Sequence, residues 1–411
     1  MRIDGGEACA NAGATEALLK TMAKICMIAY TFYSSDPRVR REAEALAERG
    51  DTVDFICLKE ERPSSAGNYG RVRLYPLNAG RYQGKNIVSY LFNYASFFLQ
   101  SFVLVTWLFF RKRYDIIQVH TMPDFLVFAA LIPKLMGAKV ILDVHDLMPE
   151  LYMCKFKSGP RHPVIRLITW VERLSIGFAN SAIAVHAPHR DALVRHGNAA
   201  QKFGIVLNSP DPRIFHKNGY VRKDDKFRLI YHGTVARRHG LEVALRAVNA
   251  VKREVPNLEF LIIGHGDDLQ RVKELVEGME LGNCVRFEKT MPVERLPEYL
   301  QQADIGVVPI LYDPFTRYML PLKLMEYAGM EIPCISSETE TIRAYFDDQM
   351  VRFIKPGDEQ QMADAILELY RNPKQRACLS ANGSRFIAQF GWEHQKQKYF
   401  ELVDALLPTR N

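Results

Sequence analysis

Arg238, Lys323 and Glu326 have the types and spacing to hold an anionic group beside hydroxyls. In Pro321-Leu322-Lys323-Leu-Met-Glu326-Tyr a proline opens a helical pattern, at the position where its missing amide proton would be unpaired anyway. The free amides at such a helix start, backed by the helix dipole, favour a phosphate. Lys323 and Glu326 are three residues apart and share one face of that helix. A cation beside a phosphate, with a carboxylate one turn deeper, suits a diphosphate and the hydroxyls of a ribose. A solvated helix surface carries the same Lys–Glu pair, so this spacing alone does not decide between the two readings.

The surrounding loops favour the first reading. His232-Gly233-Thr234-Val-Ala-Arg237-Arg238-His239-Gly240 leads from a strand end into a helix and brings two arginines, whose planar forks match phosphate oxygens. Gly264-His-Gly266 follows another strand and lets backbone approach a ligand closely. Two histidines of the amino-terminal half, His120 and His145, also end strands, and a neutral imidazole there can hydrogen-bond a hydroxyl. Asp143 or Asp146 stands beside His145 to orient it.

These residues need a scaffold that aims strand ends at one place, and the hydrophobic pattern supplies it. Strands are expected at Ile25–Ala29, Thr52–Leu58, Tyr114–His120, Lys139–His145 and Ser181–Val185. Helices are expected at Pro37–Arg49 (closed by Gly50), Asp124–Met136 and from His162 to Ala179. A second series follows, with strands Phe227–Tyr231, Leu258–Ile263, Val285–Phe287, Ile305–Pro309 and Pro333–Ser336. Its helices fall at Leu241–Lys252, Asp268–Glu277, Pro297–Gln302 and Pro321–Ala328, then at Glu359–Arg371, Gln375–Gln389 and from Trp392 to about Leu407. Alternating strands and helices predict an α/β protein with two doubly wound, Rossmann-like domains across a central cleft, where ligands bind beyond the carboxyl ends of the strands.

The expected divisions are a disordered tail over 1–22, a first Rossmann-like domain over 23–207 and a hinge over 208–226 carrying Asn208-Ser-Pro-Asp-Pro-Arg-Ile-Phe215. A second domain follows over 227–390, and a last helix in 391–411 packs back on the first domain. The first 22 residues lack a signal peptide's apolar stretch, and Met22 is an alternative start. Seven scattered cysteines, with no Cys-x-x-Cys pair, fit a reduced, cytoplasmic protein.

Charge is uneven: residues 1–210 carry a net +8 against +7 for the whole chain. Such a half expects an anionic partner such as a phospholipid surface, a lipid diphosphate or a nucleic acid, and no recognition motif supports the last. The run Val88–Phe110 has spanning length and is followed by Arg111-Lys-Arg113. A span would split one parallel sheet across a bilayer, so a buried or interfacial helix is expected, with peripheral contact at the inner membrane face.

Taken in order, YTFYSSDPRVRREAEALAERG, YDIIQVHTMPDFLVFAA and VILDVHDLMPELY resemble the acceptor half of the retaining GT-B glycosyltransferases of family 4. YHGTVARRHGLEVALRAV, LIIGHGDDL, FEKTMPVERLPEYLQQADIGVVP and LPLKLMEYAGMEIPCISS resemble their donor half, so the likeness covers about residues 24–407. It implies a GT-B fold and retaining transfer of a hexose from a UDP- or GDP-sugar to a hydroxyl, on a lipid-linked saccharide in surface polysaccharide or glycolipid synthesis.

By resemblance, Arg238 and Lys323 take up the charge of the leaving diphosphate and His145 approaches the donor sugar. Gly233, Thr234, Arg237, Gly264, Gly266, Leu322 and Glu326 surround the donor, and Asp36, Arg38, His120 and Asp146 stand on the acceptor side. No metal and no cofactor beyond the donor are expected, and no Asp-x-Asp ends a strand. Two positions depart from the family: Tyr318 replaces the first acid of its Glu-x7-Glu motif, and Thr234 its usual arginine, leaving Arg237 or Arg238 to supply that charge. Two alternatives remain, a nucleotide-sugar 2-epimerase on the same fold and a non-catalytic partner subunit.

Overall fold

The computed structural model describes residues 22–60, 70–80, 87–220, 222 and 224–407; the expected tail over 1–22 falls, except for Met22, outside them. The first domain runs β1 Lys24–Ile28, α1 Pro37–Arg49, β2 Thr52–Leu58, β3 Val72–Leu77, α2 Ile87–Lys112, β4 Ile116–His120 and α3 Leu131–Leu135. It continues with β5 Lys139–Val144, α4 Met148–Phe156, α5 Pro163–Phe178, β6 Ser181–Ala184, α6 Ala187–Arg195 and β7 Phe203–Ile205. Its strands form a parallel sheet in the order β3-β2-β1-β4-β5-β6-β7. The register pairs His120 with Asp143 on adjacent strands, which brings two of the chemically capable residues side by side.

The second domain comprises β8 Phe227–His232, α7 Leu241–Val251, β9 Leu258–Ile263, α8 Leu269–Gly278, β10 Val285–Glu288, α9 Leu296–Leu300 and β11 Ile305–Val308. Then come α10 Leu322–Gly329, β12 Cys334–Ser337, α11 Glu340–Arg343, β13 Val351–Ile354, α12 Glu359–Arg371, α13 Pro373–Phe390 and α14 Trp392–Asp404. Its parallel sheet has the order β10-β9-β8-β11-β12-β13. Both are two-sided α/β sheets, so their strands are near-continuous apolar runs buried on both faces.

The cores show which helices lie on which side. Phe97, Val105 and Leu108 of α2 share one cluster with Leu126 and Val127 and with Ile176 of α5, on one face of the first sheet. On the other face, Val39 and Leu46 of α1 pack with Trp392, Tyr399 and Val403 of α14. The last helix of the chain therefore crosses from the second domain to cover the first.

Two local readings change. The segment Asp124–Met136 is not one α-helix: Asp124–Ala130 is a 3₁₀ stretch, and α3 begins only at Leu131. A continuous helix would put Pro133 in its interior, with a lost hydrogen bond and a ring clash, whereas the observed start leaves it in the first turn. Pro321 is the residue before α10 rather than its first helical position, with extended angles (φ −64°, ψ 126°). Its carbonyl accepts the Leu324 N–H at 3.0 Å, so the amides of Leu322 and Lys323 precede the first bond of the helix.

Candidate functional site

The strand ends of both domains open on a cleft of about 570 Å³. Asp36, Arg38, His145 and Asp146 line it from the first domain, and Gly233, Thr234, Leu322, Lys323 and Glu326 from the second.

On the wall from the second domain the helix start of α10 carries two buried ionisable groups with opposed needs. Lys323 donates to the Tyr231 hydroxyl at 3.3 Å, and its ammonium lies 4.3 Å from the centre of that ring. Burial pulls its pKa down to about 8, against the pull of Glu326. Burial pushes Glu326 up to about 7, with Lys323 and then Arg41 acting in the other direction. The imidazole Nε2 of His232 lies 3.3 Å from Glu326, and burial drops His232 to about 3, so this ring is neutral near pH 7. Burial has already stripped Lys323 of most of its solvent, so an anion brought to it meets a cation with little water left to displace.

Gly264 and Gly266 do not line the cleft. A Cβ on Gly264 would lie 1.9 Å from the Gly233 carbonyl oxygen, and one on Gly266 would lie 2.0 Å from that of Val235. These glycines let the loop after β9 seat the Gly233-Thr234 loop from behind. Of the two arginines, Arg237 is exposed and Arg238 half-buried. The Arg238 guanidinium sits 5.3 Å from the ring of Phe315, which lines the cleft, and its Nε is buried without a hydrogen-bond partner among the described residues.

Across the cleft, Asp143 Oδ2 lies 3.0 Å from His145 Nε2 and 2.8 Å from His120 Nδ1. Burial alone would raise the Asp143 carboxyl, but the two imidazoles hold it well below the usual range. An ionised carboxylate only accepts, so both ring nitrogens donate to it, and a neutral His145 keeps its lone pair on Nδ1. That atom has no partner among the described residues. His120 is buried behind the cleft wall against Phe55, with ring centroids 6.1 Å apart, and supports rather than lines the cleft. The donor atoms of His120, Asp143 and His145 all fall within 4.8 Å of one another, close enough to share a metal ion, yet hydrogen bonds to Asp143 already join them. Asp36 caps α1 by accepting from the Arg38 N–H, and it grips the Arg38 guanidinium with both oxygens at 3.0 Å.

Several residues that shape the cleft escaped the sequence reading. His186 lies two residues past the end of β6 and caps α6, its Nδ1 accepting from the His189 N–H at 3.1 Å; both rings line the cleft, and burial lowers both pKa values, His186 to about 4. The string His186-Ala-Pro-His189, a strand-end histidine before a helix-starting proline, was the available signal. Tyr318, the departure from the family motif, lines the cleft and accepts from Arg195 of the opposite domain at 2.8 Å. Nothing local in the sequence pairs residues 123 positions apart.

Two Rossmann-like domains with an anion-ready helix start on one wall and a carboxylate-held histidine on the other define a GT-B protein. The sequence matches the family described as "Glycosyl transferases group 1" over residues 212–386 and "Glycosyl transferase 4-like domain" over residues 35–208. The chain belongs to the group 1, family 4-like glycosyltransferases. The amylovoran biosynthesis glycosyltransferase AmsK of Erwinia amylovora is 27% identical over 179 residues, which is 43% of this chain and 44% of that protein. A D-inositol 3-phosphate glycosyltransferase of Paenarthrobacter aurescens is 22% identical over 315 residues, 72% of this chain and 75% of the relative. Among solved structures, Anabaena HepE in complex with UDP-glucose has a TM-score of 0.72 at 13% identity, covering 93% of this chain and all of that one. Sucrose-phosphate synthase from Thermosynechococcus elongatus has a TM-score of 0.73 at 20% identity, covering 93% and 99%.

Proposed function

We propose that the protein transfers a hexose from a UDP- or GDP-sugar to a hydroxyl of a lipid-linked saccharide, with retention at the anomeric carbon. The observation that carries this reading is the buried Lys323–Glu326 pair at the start of α10, set across one cleft from His145. Lys323, Arg238 and the free amides of α10 receive the charge that grows on the diphosphate as its bond to the anomeric carbon breaks. The acceptor oxygen bonds to that carbon on the same face and gives its proton to the departing diphosphate oxygen. His145 Nδ1, as an acceptor, holds a sugar hydroxyl in register, and Glu326 accepts from the ribose. In this scheme the protein cations do the work of a divalent ion.

AmsK is named as a glycosyltransferase of amylovoran biosynthesis and HepE holds UDP-glucose, which supports a nucleotide-sugar donor. The basic first half favours a lipid diphosphate at the cytoplasmic face of a membrane. Screening UDP- and GDP-sugars for protection against thermal unfolding identifies the donor. Lys323→Ala then removes most turnover, by roughly 10²–10³-fold as for lost oxyanion donors, while leaving the fold intact. Near-native turnover in that variant overturns the assignment, and interconversion of the donor without an acceptor points to the epimerase instead.

A further inference from the structure

The first domain carries an apolar surface outside the cleft lining. On α2, Phe92, Leu99, Val103, Trp107 and Phe110 are exposed, between 47% and 72%. Their spacing puts them on one stripe of the helix, opposite the buried Phe97, Val105 and Leu108. The chain beside it continues the surface: Leu131 and Leu135 of α3 and the following Met136 are exposed, Leu135 at 74%. On α5, Val164, Leu167, Trp170 and Leu174 are exposed at helical spacing. The 3₁₀ stretch Asp124–Ala130 packs between α2 and α5, and α3 packs on α2, so the three stripes lie side by side on one face of the sheet. Core packing alone accounts for the inner stripe of each helix and leaves the outer one without a partner among the described residues.

The charges around this face select its occupant. Arg111, Arg113, Lys139, Arg166 and Arg173 are exposed at its borders, and none forms an ion pair among the described residues. Neither α2 nor α3 contains an acid, and the single acid of α5, Glu172, is buried against His196. A recess of about 450 Å³ opens at the edge, lined by Trp170, Leu174, Arg173 and Lys202. A second copy of this chain would set the same cations against each other. A layer that is apolar inside and anionic at its surface matches both features.

We propose that α2, α3 and α5 together form a docking face for an anionic phospholipid bilayer, with the aromatic and aliphatic stripes in the headgroup boundary and the five cations on lipid phosphates. The α2 helix is long and apolar enough to cross a membrane, at ~39 Å. It instead lies on the sheet by its buried stripe, so the protein rests on the bilayer. The three helices run alongside strands whose carboxyl ends form the acceptor wall of the cleft, which places that wall next to the lipid surface. This deepens the lipid-linked acceptor of the reading above and rests on it for its purpose, but the docking face is testable without turnover.

The test is flotation of the full chain with vesicles of phosphatidylcholine alone and of phosphatidylcholine mixed with phosphatidylglycerol, at low and high salt. Native protein should float with the anionic vesicles, weakly with the neutral ones and less at high salt. Leu99→Glu with Val103→Glu on α2, and Leu167→Glu with Trp170→Glu on α5, should each cut partition by roughly tenfold or more. Arg166→Glu with Arg173→Glu should weaken only binding to anionic vesicles, by about tenfold. All the substituted side chains are exposed, and thermal melting with and without UDP serves as the control for fold and donor site. Equal flotation with both vesicle types, native-like flotation of the two apolar double variants, or a dimer that these variants dissolve without any vesicle binding overturns the proposal. Loss of UDP protection in the native chain would instead count against the transferase reading and leave flotation unaffected.

Discussion

Lys323 and Glu326 enter the cleft with pKa values drawn towards neutrality, Lys323 down to about 8 and Glu326 up to about 7, each first by burial. A diphosphate at Lys323 favours its charged form and so raises its pKa above the value in the empty site. The binding gain is therefore complete below pH 8 and is lost as pH rises through and beyond 8. Ribose hydroxyls favour the Glu326 carboxylate, so that contribution grows as pH rises through 7. The affinity for UDP or GDP should then peak between about pH 7 and pH 8 and fall by roughly tenfold per unit on the alkaline side. Titration calorimetry across that range checks this, and Lys323→Ala should flatten the alkaline limb. A profile that stays level to pH 10 in the native chain would refute the role given to Lys323.

At the scale of elements, His196 joins three helices of the first domain. It follows α6 and binds Glu150 of α4 at 3.0 Å and Glu172 of α5 at 2.9 Å, with Asn198 adding a bond to Glu172 at 3.0 Å. Burial by itself would lower the His196 pKa, but the two carboxylates win and raise it to about 10. Since 10 lies above the unfolded value of 6.5, this stabilisation is fully present below pH 6.5 and is lost as pH rises through 10. His196→Gln should cost roughly 3 kcal/mol at pH 6, because it leaves two buried carboxylates without their cation. Urea melts should show that cost shrinking towards pH 10.

None of this network is legible in the sequence, where Glu150, Glu172 and the pair His196 and Asn198 are merely polar letters in separate segments. Elements with a strong period or a firm cap are another matter: α1, between Asp36 and Gly50, and α12 stand where apolar spacing and capping put them. Short or atypical elements stayed hidden, including β3 with Pro76 inside it, the three-residue β7 and the four-residue β13. Too few residues repeat there for a period to show, and a proline in a strand argues against the strand unless it lies at an edge, as β3 does. For the cleft, a proline-led helix start marked Lys323 and Glu326 and a strand end marked His145, whereas Arg195 with Tyr318 depends on the packing of two domains.

For the whole molecule, the chain passes between the domains at two places that are fastened together. Arg41 of α1 donates to Asn208 at 2.7 Å and to the Ser209 carbonyl, and its guanidinium lies 4.4 Å from the Trp392 ring. Ser209 in turn donates to the Phe390 carbonyl at 2.5 Å. Beyond that crossing α14 lies on the first domain, where Tyr399 donates to Gln118 at 2.6 Å and Gln118 to Glu42 at 2.7 Å. The first domain thus borrows part of its core from the end of the chain. Trp392→Ala removes a buried side chain at this junction and should cost about 3–5 kcal/mol. The loss falls on the first domain, since Trp392 packs with Val39 and Leu46 of α1 and not with the second core. Calorimetry of the variant should therefore separate one melting transition into two, the lower from the first domain. With the donor on the second domain, as proposed, UDP should raise only the upper one. A single transition that UDP shifts as a whole would show that the domains unfold as one unit and that α14 is no more than a surface cover.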